Sequence, residues 1–358
     1  MKTTTTIASI AMIIASSMAN SQITITQNDL PSVGQSKLIN SAMDLEIDFT
    51  TTGANKTWNF ASISPLSQAQ RSYESPLSGG LLVTFTFGPT AGNYAATYSA
   101  PAVDLDLSQV SGLLPITVEN VKQFYKKSAT ALNTVGYSAE ISGQGVPVKS
   151  DTIETKYVLP LTFGASYSSR GYTYLNTSPL YTAEVKQFRQ RSSEVDGWGT
   201  VVTPLGSFPA LRVKHRITEQ DSLNLTGNWL GLNQPVKFEY EWLAAGKSEP
   251  VFKITTRMVN NSEIVSGIEY LTDVVLDANT LGSIELNMYP NPVKDQLTIQ
   301  SDEMLDVLQI IDLNGKVVLT QENVMSGTSF NIGELTSGIY QIVAERAGVR
   351  QMHKIVKQ

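Results

Sequence analysis

The run Val236-Lys237-Phe238-Glu239-Tyr240-Glu241-Trp242 alternates apolar and charged residues with a period of two. That is the spacing at which successive side chains leave a β-strand on opposite faces. Val236, Phe238, Tyr240 and Trp242 line one face, and Lys237, Glu239 and Glu241 the other. A turn through Ala245-Gly246-Lys247 leads to Phe252, Ile254, Thr256 and Met258 on one face of the next strand, so the pair reads as an antiparallel hairpin. The same reading predicts a solvated outer face for Glu239 and Glu241. Working outward, Leu81-Leu82-Val83-Thr84-Phe85-Thr86-Phe87 has an apolar residue at every odd position and ends at Gly88-Pro89, which predicts a further strand. Helical periodicity is weak. Its best stretch, Val118 to Leu132, places Phe124-Tyr125 equally well in a strand and is read as one. Alternation punctuated by Gly, Pro and Asn turns continues from Gln22 through residue 275. It predicts an all-β chain whose main part is a large antiparallel β-sandwich or open barrel, with no βαβ units and no short internal repeat.

Composition fits an extracellular β-protein. Of 358 residues 41% are hydrophobic and only 16% charged, against roughly 25% in an average soluble chain. The net charge of -6 comes without a long basic run, so nucleic acid is not an expected partner. There is no cysteine, which removes disulfides, thiolate metal sites, cysteine nucleophiles and a lipid-modified cysteine together. Residues 1–21 have the order of a signal peptide: Lys2, the apolar stretch Ile7 to Ile14, then Ala19-Asn20-Ser21 ahead of Gln22. The expected organisation is a signal peptide (1–21), a large β-rich domain (22–275), a small and polar linker around Leu276 to Ser283 (276–284), and a compact C-terminal unit (285–358).

The C-terminal unit contains closely spaced short strands, the signature of a small, immunoglobulin-like β-sandwich. Tyr289-Pro290-Asn291-Pro292 fixes an extended entry, because each proline restricts its own φ and its predecessor's conformation. Asn314-Gly315 is a two-residue hairpin signal followed by Lys316, and Gly338-Ile339-Tyr340 opens a later strand. With Asp312 and the ending Lys354-Ile355-Val356-Lys357, these motifs resemble, in order, the type A C-terminal sorting domain of Bacteroidota type IX secretion cargo. The resemblance implies export through the inner membrane by the signal peptide, folding in the periplasm, and passage through the outer membrane by tail recognition. It further implies removal of the tail by a sortase-like peptidase, with cleavage ahead of Tyr289, and attachment of the new end to surface lipopolysaccharide. Its partners would then be the secretion machinery and that peptidase, and its location secreted or surface-attached. The large domain resembles uncharacterised cargo of the same group, through Asp29-Leu30-Pro31, Thr52 to Phe60, and Val195-Asp196-Gly197-Trp198-Gly199-Thr200 running into Thr203 to Phe208. That resemblance implies no activity.

Catalytic and metal chemistry meets a shortage of ligands. The chain has two histidines, of which His353 lies in the tail and His215 alternates in phase with Leu211, Val213 and Ile217, as a hydrogen-bonded core histidine would. No Gly-x-Ser-x-Gly elbow accompanies His215 for a serine triad, and zinc lacks its His pairs and cysteines. Glu239 and Glu241 are the best carboxylate pair for glycoside hydrolysis, but read as solvated strand residues, as do Asp104 and Asp106. Arg212, Lys214 and Arg216 form a basic stripe read as an exposed strand face. Tyr167, Tyr172, Tyr174 and Tyr181 cluster near Arg170-Gly171, either as a sugar-stacking platform or as cross-strand packing. Asp151-Thr152-Ile153 and Asp221-Ser222-Leu223 resemble the Bacteroidota O-glycosylation acceptor pattern. No catalytic residue, metal or cofactor is therefore expected. The leading expectation is a non-enzymatic protein that binds a glycan or surface protein. The alternatives are a polysaccharide hydrolase using a carboxylate pair, and a barrel-like carrier of an apolar ligand lined by Trp58, Trp198, Trp229 and Trp242.

Overall fold

A computed structural model describes residues 22–102, 118–141, 144–176, 183–225, 227–273, 286–312, 316–346 and 349–358. The expected signal peptide, the expected linker, Asp104, Asp106, Tyr181 and Asn314-Gly315 lie outside these residues. The fold is all-β, as expected. Strands β1 (Ser36–Ala42), β2 (Gly53–Asn59), β3 (Ser67–Ser72), β4 (Tyr98–Pro101), β5 (Val118–Lys127), β6 (Ala131–Ile141) and β7 (Gln144–Val158) are followed by β8 (Ser166–Asn176), β9 (Ala183–Thr203), β10 (Gly206–Leu225), β11 (Asn228–Asn233), β12 (Lys237–Leu243), β13 (Phe252–Val259) and β14 (Ser262–Thr272). Together they form one 14-stranded sheet in the order β3-β1-β14-β13-β12-β10-β9-β8-β7-β6-β5-β4, with β11 added to β10 and β2 to β9.

The sheet curls until its two ends nearly meet. Glu74, just beyond β3, and Ser99 of β4 exchange two backbone hydrogen bonds of 2.9 Å, a single bridge between the ends of the order. The hairpin that opened the reading is β12–β13, with Tyr240 opposite Ile254 and Trp242 opposite Phe252. Val118 to Leu132 forms β5 and the start of β6, and Pro204-Leu205 is the turn joining β9 to β10, whose first pair is Thr203 with Gly206.

Leu81–Phe87 is corrected by the structure: it is a helix, α1, not a strand. Val83 and Phe87 are its buried residues, and Phe87 stacks on Phe124 at 4.2 Å. A separation of four serves one face of a helix as well as one face of a strand, so alternation over seven residues does not discriminate. Gly80, at φ 86°, turns the chain into the helix from the preceding Pro76–Gly79 turn.

Two apolar layers result. The outer face of β12–β14 carries Tyr240, Trp242, Phe252, Ile254, Ile268 and Tyr270, and is covered by the segment from Met43 to Ile63, whose Phe60 stacks on Phe252 at 4.1 Å. The covering strand β2 runs parallel to β9 from Gly197 to Val202, along the part of that edge that β8 leaves free. Gly199 is required there, because a Cβ would sit 1.9 Å from the Lys56 carbonyl oxygen. Inside the curl, Val195, Leu211, Val213 and Leu243 face Tyr98, Tyr125, Leu132 and Tyr157 from the opposite wall.

The remaining strands make two small sheets. β15 (Leu286–Tyr289), β16 (Gln296–Ser301) and β19 (Thr328–Asn331) form one; β17 (Leu305–Asp312), β18 (Val317–Val324), β20 (Gly338–Arg346) and β21 (Val349–Lys357) form the other. Leu297 and Ile299 from the first meet Leu308, Ile310, Ile342 and Ile355 from the second in one core, which makes a two-sheet sandwich.

Candidate functional site

The inner face of the large sheet is charged in its middle. Register puts His215 opposite Ser193 on one side and opposite Glu239 on the other, so alternate residues of β9, β10 and β12 project into the curl. Arg191 Nε binds Glu154 at 2.7 Å and its Nη1 binds Glu239 at 3.1 Å, while Lys237 reaches the other oxygen of Glu239 at 3.0 Å. Arg189 joins Glu154 to Glu219. Glu154, Arg189, Arg191, Glu239 and Glu241 are all buried. A carboxylate pair taken as solvated is therefore inside. The correction has a plain cause: alternation assigns two faces but does not say which faces water, and here the apolar face is capped by Met43 to Ile63 while the charged face lines the interior.

His215 sits at the centre with no solvent exposure. Ser193 Oγ lies 2.7 Å from its Nδ1, and its Nε2 lies 3.2 Å from Glu241. Burial pushes its pKa below the ordinary histidine range, although Glu241 pulls the other way. The imidazole is then neutral, with Nε2–H donating to Glu241 and Nδ1 accepting from the Ser193 hydroxyl. Burial alone would raise Glu241, but the Lys156 ammonium at 3.2 Å and the His215 hydrogen bond hold it well below the usual carboxylate range. Tyr157 also donates its hydroxyl to Glu241.

Ser193, His215 and Glu241 have the connectivity of a hydrolytic triad; sequence reading singled out His215 and, separately, Glu241, but not Ser193. The signal lay in the hairpin: a two-residue turn at Pro204-Leu205, corrected by the bulge at Arg212/Val213, puts Ser193 beside His215. An acyl-transfer site also needs room for a carbonyl at the nucleophile and donors for its oxyanion. Ser193 is 3% exposed in the middle of a strand, so no substrate reaches it.

A cavity of about 60 Å³ does open beside this network, between Tyr73, Tyr98, Tyr125 and Tyr157 on one wall and Lys156 and Glu241 on another. It is too small for an apolar ring, which occupies about 150 Å³ in engineered cavities. The four tryptophans expected to line a carrier do not meet: Trp58 and Trp242 pack edge to face in the outer layer, Trp198 is half-buried against the inner cluster, and Trp229 is exposed on β11. Among the described residues no group of three or more His, Asp or Glu is placed to hold a metal ion.

The basic stripe is also rearranged. Arg212 is buried, paired with Asp196, bonded to the Phe49 carbonyl, and stacked over Tyr240 and Trp242, so it ties the covering segment to the sheet. Lys214 lies over Phe238 and Tyr240, and Arg216 alone is exposed. Of the tyrosine cluster, Tyr167 turns inward, bonded to the Lys156 carbonyl, whereas Tyr172 and Tyr174 lie on the outer face of β8. Of the two glycosylation patterns, Thr152 is exposed and Ser222 half-buried.

In the C-terminal sandwich the opening motif meets the ending. Tyr289 closes β15 and is exposed, and Asn291 donates to the Lys354 carbonyl at 3.1 Å and accepts from the Val356 amide at 2.9 Å. Lys316 N donates to Asp312 Oδ1 at 2.9 Å across the turn. Gly338, Ile339 and Tyr340 open β20 opposite Lys357, Val356 and Ile355, with Tyr340 buried and its hydroxyl bonded to the Thr336 carbonyl. Lys357 is buried and Lys354 exposed.

Residues 287–358 match the model of the secretion system C-terminal sorting domain family. This supports reading the sandwich as a type IX secretion sorting domain, and such a tail implies export, secretion or surface attachment, and interaction with the type IX machinery. A comparison with curated proteins finds no match. Among solved structures the chain is similar to a Bacteroides fragilis protein with a YmcC-like fold, at 12% identity and a TM-score of 0.18 over 42% of this chain and 85% of that one. Among the described residues no helix is long and apolar enough to cross a membrane.

Proposed function

Since the chain ends in a type IX sorting domain, we propose that its large sheet is a non-enzymatic binding module delivered to the cell exterior. One observation carries this reading. The residues that the sequence offers for acid–base chemistry in the large domain, Glu239, Glu241 and His215, are turned inward and engaged, with Glu239 between Arg191 and Lys237 and His215 between Ser193 and Glu241. A carboxylate committed to two cations neither protonates a leaving group nor attacks a sugar carbon.

Delivery follows the route the tail implies. The signal peptide directs residues 22 onward to the periplasm, and Tyr289 to Pro292, Asn314 to Lys316, Gly338 to Tyr340, Lys354 and Lys357 belong to the module that the outer-membrane machinery reads. A sortase-like peptidase then cuts ahead of Tyr289, leaving the large sheet free or linked to lipopolysaccharide. Two measurements test the reading. Deleting residues 285–358 is expected to trap the protein in the periplasm, and secretion of the truncated chain at the normal level refutes the route. The purified secreted protein is expected to bind surface glycans or proteins without altering them; release of reducing ends from a polysaccharide panel refutes the non-enzymatic role.

A further inference from the structure

The outer face of β8–β11 has a composition unlike the rest of the sheet. Register aligns Tyr172 with Phe188 and Tyr174 with Lys186. It aligns Glu184 with Asn224 and Phe188 with Gln220, and then Asn224 with Trp229. Opposed residues share a face, so these side chains form one surface on four neighbouring strands. Phe188 is 38% exposed and Trp229 43%. Lys186 Nζ lies 3.8 Å from the centre of the Trp229 ring and 5.9 Å from that of Tyr174, so one ammonium lies near both rings. Glu184 accepts from the Tyr174 hydroxyl and from Asn224 Nδ2, fixing their orientation. Further along the same strands and face come Gln190, Ser192, Thr218 and Gln220, amides and hydroxyls that are exposed or half-buried.

We propose that this face is a platform for a neutral polysaccharide. The inference rests on the binding role proposed above and names its ligand. Sugar rings present C–H faces that stack on aromatic rings and hydroxyls that pair with amides, and this surface supplies both. Its rings are separated by polar groups, whereas the centre of a protein-binding patch is contiguous and apolar. Its charge does not favour an acidic chain, because Lys186 is engaged by two rings and the Glu184 carboxylate stands beside them. β11 pairs with β10 alone, so Trp229 stands at an edge where a long polymer can pass.

The test uses the secreted protein in native gels containing hydroxyethylcellulose, xylan or galactomannan, with heparin as the acidic comparison. The expected result is retardation by at least one neutral polymer, persisting in high salt because the contacts are uncharged. Trp229→Ala and Phe188→Ala are each expected to weaken binding roughly tenfold with an unchanged melting temperature, since both rings are exposed. Absence of retardation by all three neutral polymers overturns the proposal, as does equal binding by the wild type and both variants, or binding to heparin alone. If cell-surface protein is bound equally by all variants, the platform falls and the binding role stands. If neutral polymer is bound through Trp229 but is also cleaved, the platform stands and the non-enzymatic role falls.

Discussion

The C-terminal sandwich and the large sheet are both antiparallel β, yet they fill their interiors in opposite ways. Thirteen buried apolar residues, from Val293 to Ile355, make the sandwich core, and among the described residues of that region the buried polar ones are Ser301 and Lys357. The large sheet keeps its main aromatic layer on an outer face and places Glu154, Arg189, Arg191, Glu239, Glu241 and His215 inside the curl. In an apolar core the loss of one side chain costs its transfer energy plus whatever cavity partial relaxation leaves. In a buried ionic array each charge removed also leaves its partners desolvated and unpaired. The sandwich is thus packed by one apolar core, while the large sheet adds a specific set of buried charges to its two apolar layers.

The largest effect expected from this contrast is at Arg191. Arg191→Ala leaves Glu154 and Glu239 short of a cation in the interior and is expected to destabilise the large sheet by about 3–5 kcal/mol. Ile310→Ala in the sandwich is expected to cost about 2–5 kcal/mol and to leave the large sheet untouched. Denaturant unfolding followed by tryptophan fluorescence separates the two, since all four tryptophans lie in the large sheet. A change in midpoint for Arg191→Ala no larger than that of a surface substitution would mean that the interior charges are hydrated, and the contrast would fail.

Acid sharpens the same comparison. The folded pKa of His215 is depressed below its unfolded value, so below that unfolded value the unfolded chain takes up a proton that the folded chain refuses. Stability from this source falls as pH drops through about 6.5. Glu239 and Glu241 are also depressed, by their cations and against their burial, so the stability they contribute is present above about 4.5 and lost as pH falls further. Asp221 runs the other way: burial raises it to about 6, which favours the folded state as pH falls from there towards 4. The net expectation is acid unfolding of the large sheet before the sandwich. In His215→Gln the part of the loss nearest neutrality should vanish while the part below about 4.5 remains; an identical pH profile for variant and wild type defeats this assignment.

Much of this was legible in the sequence, and the failures share a cause. The β12–β13 hairpin and the strand reading of Val118 to Leu132 follow from periodicity and turn chemistry, both of which are local. The sidedness of β12 does not, because it depends on Met43 to Ile63 folding over the aromatic face from nearly two hundred residues away. Arg212 was misplaced for the same reason: its partners Phe49 and Asp196 come from the covering segment and from a bulge. The outer platform was half visible through Tyr172 and Tyr174, while Phe188, Lys186 and Trp229 join it only once register is known.

Smaller effects test how each unit holds its ends. Asn291→Ala removes two side-chain bonds to the terminal strand, at Lys354 and Val356, and is expected to weaken the sandwich by about 1–2 kcal/mol. Hydrogen exchange at Val356 should rise while the large sheet is unchanged; unaltered exchange there would show that strand pairing alone holds the ending.

The least effect is expected at the seam of the large sheet. Glu74 and Ser99 close the curl through backbone hydrogen bonds, whereas the Glu74 side chain makes a partly exposed ion pair of 2.6 Å with Lys122. Exposed pairs contribute about 0–1 kcal/mol, so Glu74→Gln is expected to stay within that range and to lose even this in high salt. Glu74→Pro keeps the chain but deletes the amide that donates to Ser99, and should cost distinctly more. If the two variants melt together, the seam is held by side-chain charge after all, and the ends of the sheet obey the same rule as its interior.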